Sequence, residues 1–327
     1  MIFFLKKITS VILVTINLFL FPLLGWYAGE FSPKYPNYCK LNFAAVSDVH
    51  IDGSELNAFM LDLAMADMEN ADTRLDAVVF TGDITDHGYL EQWEKFHETM
   101  AKYDPADEIL LAVGNHDTWT EDDGIVLAKQ YFIEYNKKIA DREIDNMYYS
   151  AEVNGYPFIV LGSEYDHTDA YISPEQLAWF DAEMAKAAEK DLPIFVISHW
   201  PINESHGLPE TWGDDEPEPD DGGFGDQSDE VEAILKKYDN VFLLSGHIHN
   251  GLVDEKTESL WNYKSIESDG SFHSVNLPSL MYFNIRGELL SGKGFQFEVY
   301  DNYVLIRQRS YSGGVWYTFD EYKIELV

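Results

Sequence analysis

The segment Leu41-Asn42-Phe43-Ala44-Ala45-Val46-Ser47-Asp48-Val49-His50 governs how the rest of the chain is read. Leu41–Val46 is a short apolar run that reads as a buried β-strand. A carboxylate and an imidazole follow at once, one residue apart. The same arrangement recurs four times further on. Gly82-Asp83 follows the run at 76–80, and Gly114-Asn115-His116-Asp117 follows 109–113. His199 follows 193–198, and Gly246-His247-Ile248-His249 follows Val241–Ser245. Imidazoles, carboxylates and a neutral amide oxygen are the donors of a two-metal hydrolytic site.

Helical patterns separate these strands. Glu55–Glu69 has the right periodicity through Leu56, Phe59, Met60 and Leu63. Residues 89–103, 123–140 and 228–238 read as further helices. Ser173-Pro174-Glu175-Gln176 opens another that runs to about Lys190, with Ser173 as N-cap, proline in the first turn and Gln176 closing the box. Residues 148–153 and 157–161, joined through Asn154-Gly155, form a β-hairpin. Beyond 250 the pieces are strand-like, 303–309 and 314–326 most clearly. Strand–helix alternation followed by strands predicts an α/β core, 41–250, with a β-rich part of the same domain at 251–327. In open α/β sheets ligands gather at the carboxyl ends of the strands, where all five segments sit. Residues 29–40 read as a Pro-containing linker. Residues 213–226, rich in Asp, Glu, Pro and Gly, read as a long mobile loop.

The 327 residues are 46% apolar, enough for a packed core, and carry 22 Lys and Arg against 58 Asp and Glu, a formal charge of -36. Such a surface repels polyanions, which argues against a nucleic acid polymer as partner. The single cysteine, Cys39, excludes an internal disulfide. Lys6-Lys7 precedes an uncharged stretch from Ile8 to about Ala28, long enough to cross a bilayer. Residues 1–28 are therefore expected to be an N-terminal hydrophobic helix, a signal peptide or a retained membrane anchor, with the main domain outside the cytoplasm.

The order D-x-H, G-D, G-N-H-D, H, G-H-x-H resembles the calcineurin-like metallophosphoesterase superfamily over residues 41 to 250. The resemblance implies a sandwich of two β-sheets flanked by helices, two metal ions (Fe, Mn or Zn) and a small phosphate-ester substrate. It places Asp48, His50 and His249 on one metal and Asn115, His199 and His247 on the other. Asp83 would bridge them, and a hydroxide between the ions would be the nucleophile. His116 would stand near the leaving oxygen, oriented by Asp117. The segment from Thr81 to Asp86 and its spacing to Gly114 are most similar to small bacterial phosphodiesterases of the cyclic-nucleotide type. Asp86 departs from the purple acid phosphatases, which carry a metal-ligating tyrosine there. The expected function is an extracytoplasmic, dinuclear metal-dependent phosphoesterase, with a cell-surface metal-binding scaffold without useful turnover as the alternative. His87 and His206 are candidates to line the site, and Trp119, Trp200 and Trp212 to stack on a leaving group. His97, His167 and His273 read as ordinary surface or core residues.

Overall fold

A computed structural model describes residues 26–29, 31–119, 124–165, 170–209, 218, 221–249, 263–270, 272–282 and 292–327. In chain order the larger elements are β1 (Trp26–Ala28), β2 (Leu41–Val46), α1 (Glu55–Glu69), β3 (Leu75–Phe80), α2 (Leu90–Met100), β4 (Ala106–Leu111), α3 (Gly124–Ala140), β5 (Tyr149–Val153) and β6 (Tyr156–Val160). They continue with α4 (Pro174–Ala188), β7 (Ile194–Ile197), α5 (Ser228–Leu235), β8 (Val241–Ser245), β9 (Ile266–Ser268), β10 (Phe272–Asn276), β11 (Lys293–Val299), β12 (Tyr303–Ser310) and β13 (Val315–Glu325).

The strands form two mixed sheets, ordered β1-β13-β12-β11-β2-β3-β4 and β5-β6-β7-β8-β10-β9. At one side of the first sheet β2, β3 and β4 are parallel, as are β6, β7, β8 and β10 in the second. All their carboxyl ends reach one rim of the sandwich, which brings the five segments together. Strands β6, β7 and β8 are buried along their whole length, so they carry almost unbroken apolar runs. Between the sheets Phe43 stacks on Phe297 at 4.7 Å and meets Phe158 and Phe195 edge-on. On the outer face of the second sheet Phe180 and Met184 of α4 and Val231 and Leu235 of α5 cover Ile194, Val196, Val241 and Leu243.

Three segments differ from expectation. Trp26–Ala28, expected to end the N-terminal helix, pairs antiparallel with β13 instead. Residues 1–25 lie outside the described residues, among which no helix is long and apolar enough to cross a membrane. The segment expected as a linker is docked. Phe31 is buried against Tyr311 and Trp316, and the Ser32 carbonyl accepts from Arg307. Of the expected mobile loop, 213–217, 219 and 220 lie outside the described residues, as does Trp212. Its end is packed: Phe224 is fully buried, and Asn203 both accepts from and donates to the Gly225 backbone.

Arg309 of β12 is 1% exposed and reaches Asp67 of α1 through two hydrogen bonds, 2.5 and 2.7 Å, while its plane covers Trp316. Removing one partner of a buried pair leaves the other charge uncompensated. Asp67→Ala is therefore expected to cost about 3–5 kcal/mol, read as a lower midpoint in urea unfolding. A loss below about 1 kcal/mol, the range of exposed pairs, would contradict this role for the pair.

Candidate metal centre

The donor side chains stand on sharp turns at the strand ends. Asp48, His50, Asp83, His247 and His249 all have positive φ, between 47° and 72°. This conformation costs non-glycine residues about 1–3 kcal/mol each and persists only where the surroundings hold it. Side chains and close packing do so here. Asn57 Nδ2 donates to the His50 carbonyl at 2.6 Å, and Asn276 Nδ2 donates to the Gly246 carbonyl at 2.5 Å. Gly114 and Gly246 permit the contact. A Cβ on Gly114 would stand 2.1 Å from Asp83 Oδ1, and one on Gly246 would stand 1.8 Å from Ser47 Oγ.

Three groups of donors converge among the described residues, and Asp83 belongs to two of them: Asp48, His50, Asp83 and His249, and Asp83, His199 and His247; the third, His50, Asp86 and His116, adjoins the first through His50. Asp83 Oδ2 is 3.5 Å from His50 Nε2 in the first group and 3.2 Å from His199 Nε2 in the second. Its other oxygen accepts the His116 backbone N–H at 2.9 Å, which fixes the carboxylate plane. Asp48 Oδ1 lies 3.0 Å from His249 Nε2. Nitrogen meets nitrogen twice, His50 Nε2 with His249 Nε2 at 3.0 Å and His199 Nε2 with His247 Nδ1 at 3.1 Å.

The imidazoles are oriented from outside. His199 Nδ1 donates to the Thr81 carbonyl at 3.0 Å, and His50 Nδ1 lies 3.3 Å from Asp86 Oδ1. In the neutral ring each Nε2 then carries the lone pair and faces the cluster, the tautomer that suits a metal ligand. Asn115 Oδ1 and Asp83 Oδ2 are buried and accept no hydrogen bond from the described residues. Buried acceptors without donors, beside paired imidazole nitrogens, fit a pair of cations and fit no purely hydrogen-bonded core.

Charge is distributed accordingly. Burial pushes the Asp83 carboxyl up, but the His199, His116 and His50 imidazoles outweigh it and hold it well below the usual range. Burial acts to lower His199, yet the Asp83 carboxylate beside it prevails and raises it to about 9. Burial and the neighbouring His199 keep His247 well below its ordinary value. A metal that takes up His199 displaces its proton, so metal binding is coupled to proton release.

His116 stands next to the cluster, its ring 4.4 Å from that of His50. Asp117 does not orient it. The Asp117 carboxylate instead accepts from the backbone of Gly114, Ile84 and Thr85 and from Thr85 Oγ1, tying two ligand loops together. His116 Nδ1 donates to the Asp86 carbonyl at 2.8 Å. The two residues share a 3-10 turn, His116–Thr118, in which successive side chains diverge by about 120°. Asp86 is the residue whose importance the sequence understated. Its carboxylate also pairs with His87 at 2.8 Å, which puts the exposed His87 at the rim. His206 is fully buried, its ring bonded to Ser274 Oγ and the Lys264 carbonyl, and is a core histidine. Trp200 is also buried. His167 lies outside the described residues.

A model of the calcineurin-like phosphoesterase family matches residues 41–251. A probable glycerophosphodiester phosphodiesterase from Arcobacter nitrofigilis is 26% identical over 228 residues, 66% of this chain and 73% of that protein. A probable cyclic nucleotide phosphodiesterase from Rhodococcus erythropolis is 30% identical over 133 residues, 39% of this chain and 40% of that protein. The solved structure of a dimetal phosphatase from Danio rerio superposes with a TM-score of 0.60 at 14% identity, over 88% of this chain and 100% of that one, which shows a shared fold. With the motifs in order, the donors converging on Asp83 and the family model spanning the whole core, the chain belongs to the calcineurin-like phosphoesterase family.

Proposed function

We propose that the protein hydrolyses small phosphodiesters with two metal ions, iron, manganese or zinc, outside the cytoplasm. The observation that carries this is Asp83 Oδ2, within 3.5 Å of an imidazole in each of its two donor groups, the placement of a bridging carboxylate. Asp48, His50 and His249 would hold one ion, and Asn115, His199 and His247 the other. When bound, such a pair supplies an activated water and offsets the charge on the phosphoryl oxygens.

The chain's own residues supply the rest. His116 is anchored through Nδ1, so Nε2 is the nitrogen that can hold a proton for the departing alkoxide as the P–O bond breaks. A diester is favoured over a monoester by charge. A chain at -36 repels a dianion more than a monoanion, and two of the relatives are described as phosphodiesterases, beside a purple acid phosphatase from Arabidopsis thaliana. The extracytoplasmic location rests on Lys6-Lys7 and the uncharged stretch after them. Membrane association follows if that stretch is retained.

The test is hydrolysis of bis-p-nitrophenyl phosphate by the apoprotein reconstituted with Mn²⁺. Metal-dependent turnover is expected. Bound metal without turnover on diesters or monoesters would instead favour a metal-binding scaffold.

A further inference from the structure

Beside His116 the chain leaves a tryptophan open to water. Trp119 closes the 3-10 turn, its backbone N–H donating to the His116 carbonyl at 3.3 Å. Its ring lies over the His116 ring at 3.9 Å between centroids, tilted by 36°. Trp93, Trp200 and Trp316 are buried, whereas Trp119 is 41% exposed. The aromatic surface continues outward. His87 meets Trp119 edge-on at 6.4 Å and stacks on Tyr89 at 5.6 Å, within 15° of parallel. Asp86 ties this row to the metal site, one carboxylate oxygen 2.8 Å from His87 Nδ1 and the other 3.3 Å from His50 Nδ1.

The geometry gives the row a direction. His116 turns Nδ1 inward to the Asp86 carbonyl, which leaves Nε2 for the leaving oxygen. A group carried on that oxygen comes within reach of Trp119, whose ring packs against His116 and is partly open to water. Exposed aromatic surface attracts another flat ring by stacking. The acidic surface of the chain works against a second phosphate at this place.

We infer that Trp119, with His87 and Tyr89, forms a stacking ledge that selects phosphodiesters whose leaving alcohol carries a flat ring, aryl or nucleoside. This rests on the phosphodiesterase reading above. Trp119 is a specificity residue here, in contact with the leaving group and taking no part in bond breaking.

Two non-hydrolysable anions of similar size test it by calorimetry on the metal-loaded protein: diphenylphosphinate, with flat rings, and dicyclohexylphosphinate, with puckered ones. Trp119→Ala should weaken diphenylphosphinate about tenfold, as expected for one ring stacked on an aromatic side chain. It should change dicyclohexylphosphinate less than about twofold, and Trp119→Phe should restore most of the loss. Equal losses for both anions, or no loss for either, would overturn the ledge and leave Trp119 a packing partner of His116. The exposed position of Trp119 makes unfolding of the variant a poor explanation for a selective loss. Turnover of methyl phenyl phosphate and methyl adenosine 5′-phosphate by the same variants separates the two ring sources, since the larger loss marks the ring that the ledge holds. If the intact protein hydrolyses neither diester yet discriminates between the phosphinates, the ledge stands and the phosphodiesterase reading falls.

Discussion

Asp83→Ala is expected to abolish hydrolysis and to strip both metal ions from the protein. One carboxylate oxygen of Asp83 faces both of its donor groups, and its partner oxygen fixes the His116 backbone. Losing a residue that only orients a metal ligand typically costs about 10–100-fold in metal affinity or activity, and a bridging carboxylate would touch both ions directly. The measurement is metal content by mass spectrometry after gel filtration, with circular dichroism to confirm folding. Asp83→Asn, which keeps an oxygen and loses the charge, should bind more weakly than the intact protein and better than the alanine variant. A folded alanine variant that retains two ions per chain would remove Asp83 from the bridging position.

His116→Ala is expected to keep both ions and lose turnover by about 10²–10⁴-fold, the usual range for a missing acid–base group. His116 touches the cluster through its backbone N–H and a ring contact with His50; it groups with His50 and Asp86 but with neither donor group that contains Asp83. The defect should depend on the leaving group. A p-nitrophenolate leaves without a proton, so the loss should shrink there and be largest for an alkyl ester. Equal losses for both esters would show that His116 does not serve the leaving oxygen.

Much of this arrangement is legible in the sequence, for definite reasons. Leu41–Val46 and Glu55–Glu69 stand at the expected places, but of Leu56, Phe59, Met60 and Leu63 only Met60 is buried, and the helix packs through Ala58, Leu61, Ala64, Met65 and Met68 instead. The strand expected at 109–113 is observed at Ala106–Leu111. Its early part carries Asp107, exposed, and Glu108, partly exposed, which interrupts its apolar signal. Residues 29 and 31–40 look like a linker because their anchors lie 275 to 280 residues away: the Gly29 carbonyl accepts from Arg309 and the Ser32 carbonyl from Arg307. Local composition carries no trace of such partners. Phe224 was hidden in the same way within an acidic, glycine-rich stretch whose end packs beneath α5. Asp117 misleads because adjacency in sequence suggests contact, whereas a 3-10 turn sends neighbouring side chains apart. Asn57 and Asn276, which hold the strained ligand turns, have no motif. Only the fold shows that they face the His50 and Gly246 carbonyls.

The account rests on two ions acting as a pair on one carboxylate, and a stepwise titration of the metal-free protein tests that most directly. Mn²⁺ is added in fractions of an equivalent while bis-p-nitrophenyl phosphate hydrolysis and bound metal are followed together. Activity should rise with metal and level off as occupancy reaches two ions per chain, with little turnover at one. Full activity at a single ion per chain, or two ions bound without hydrolysis, would contradict it.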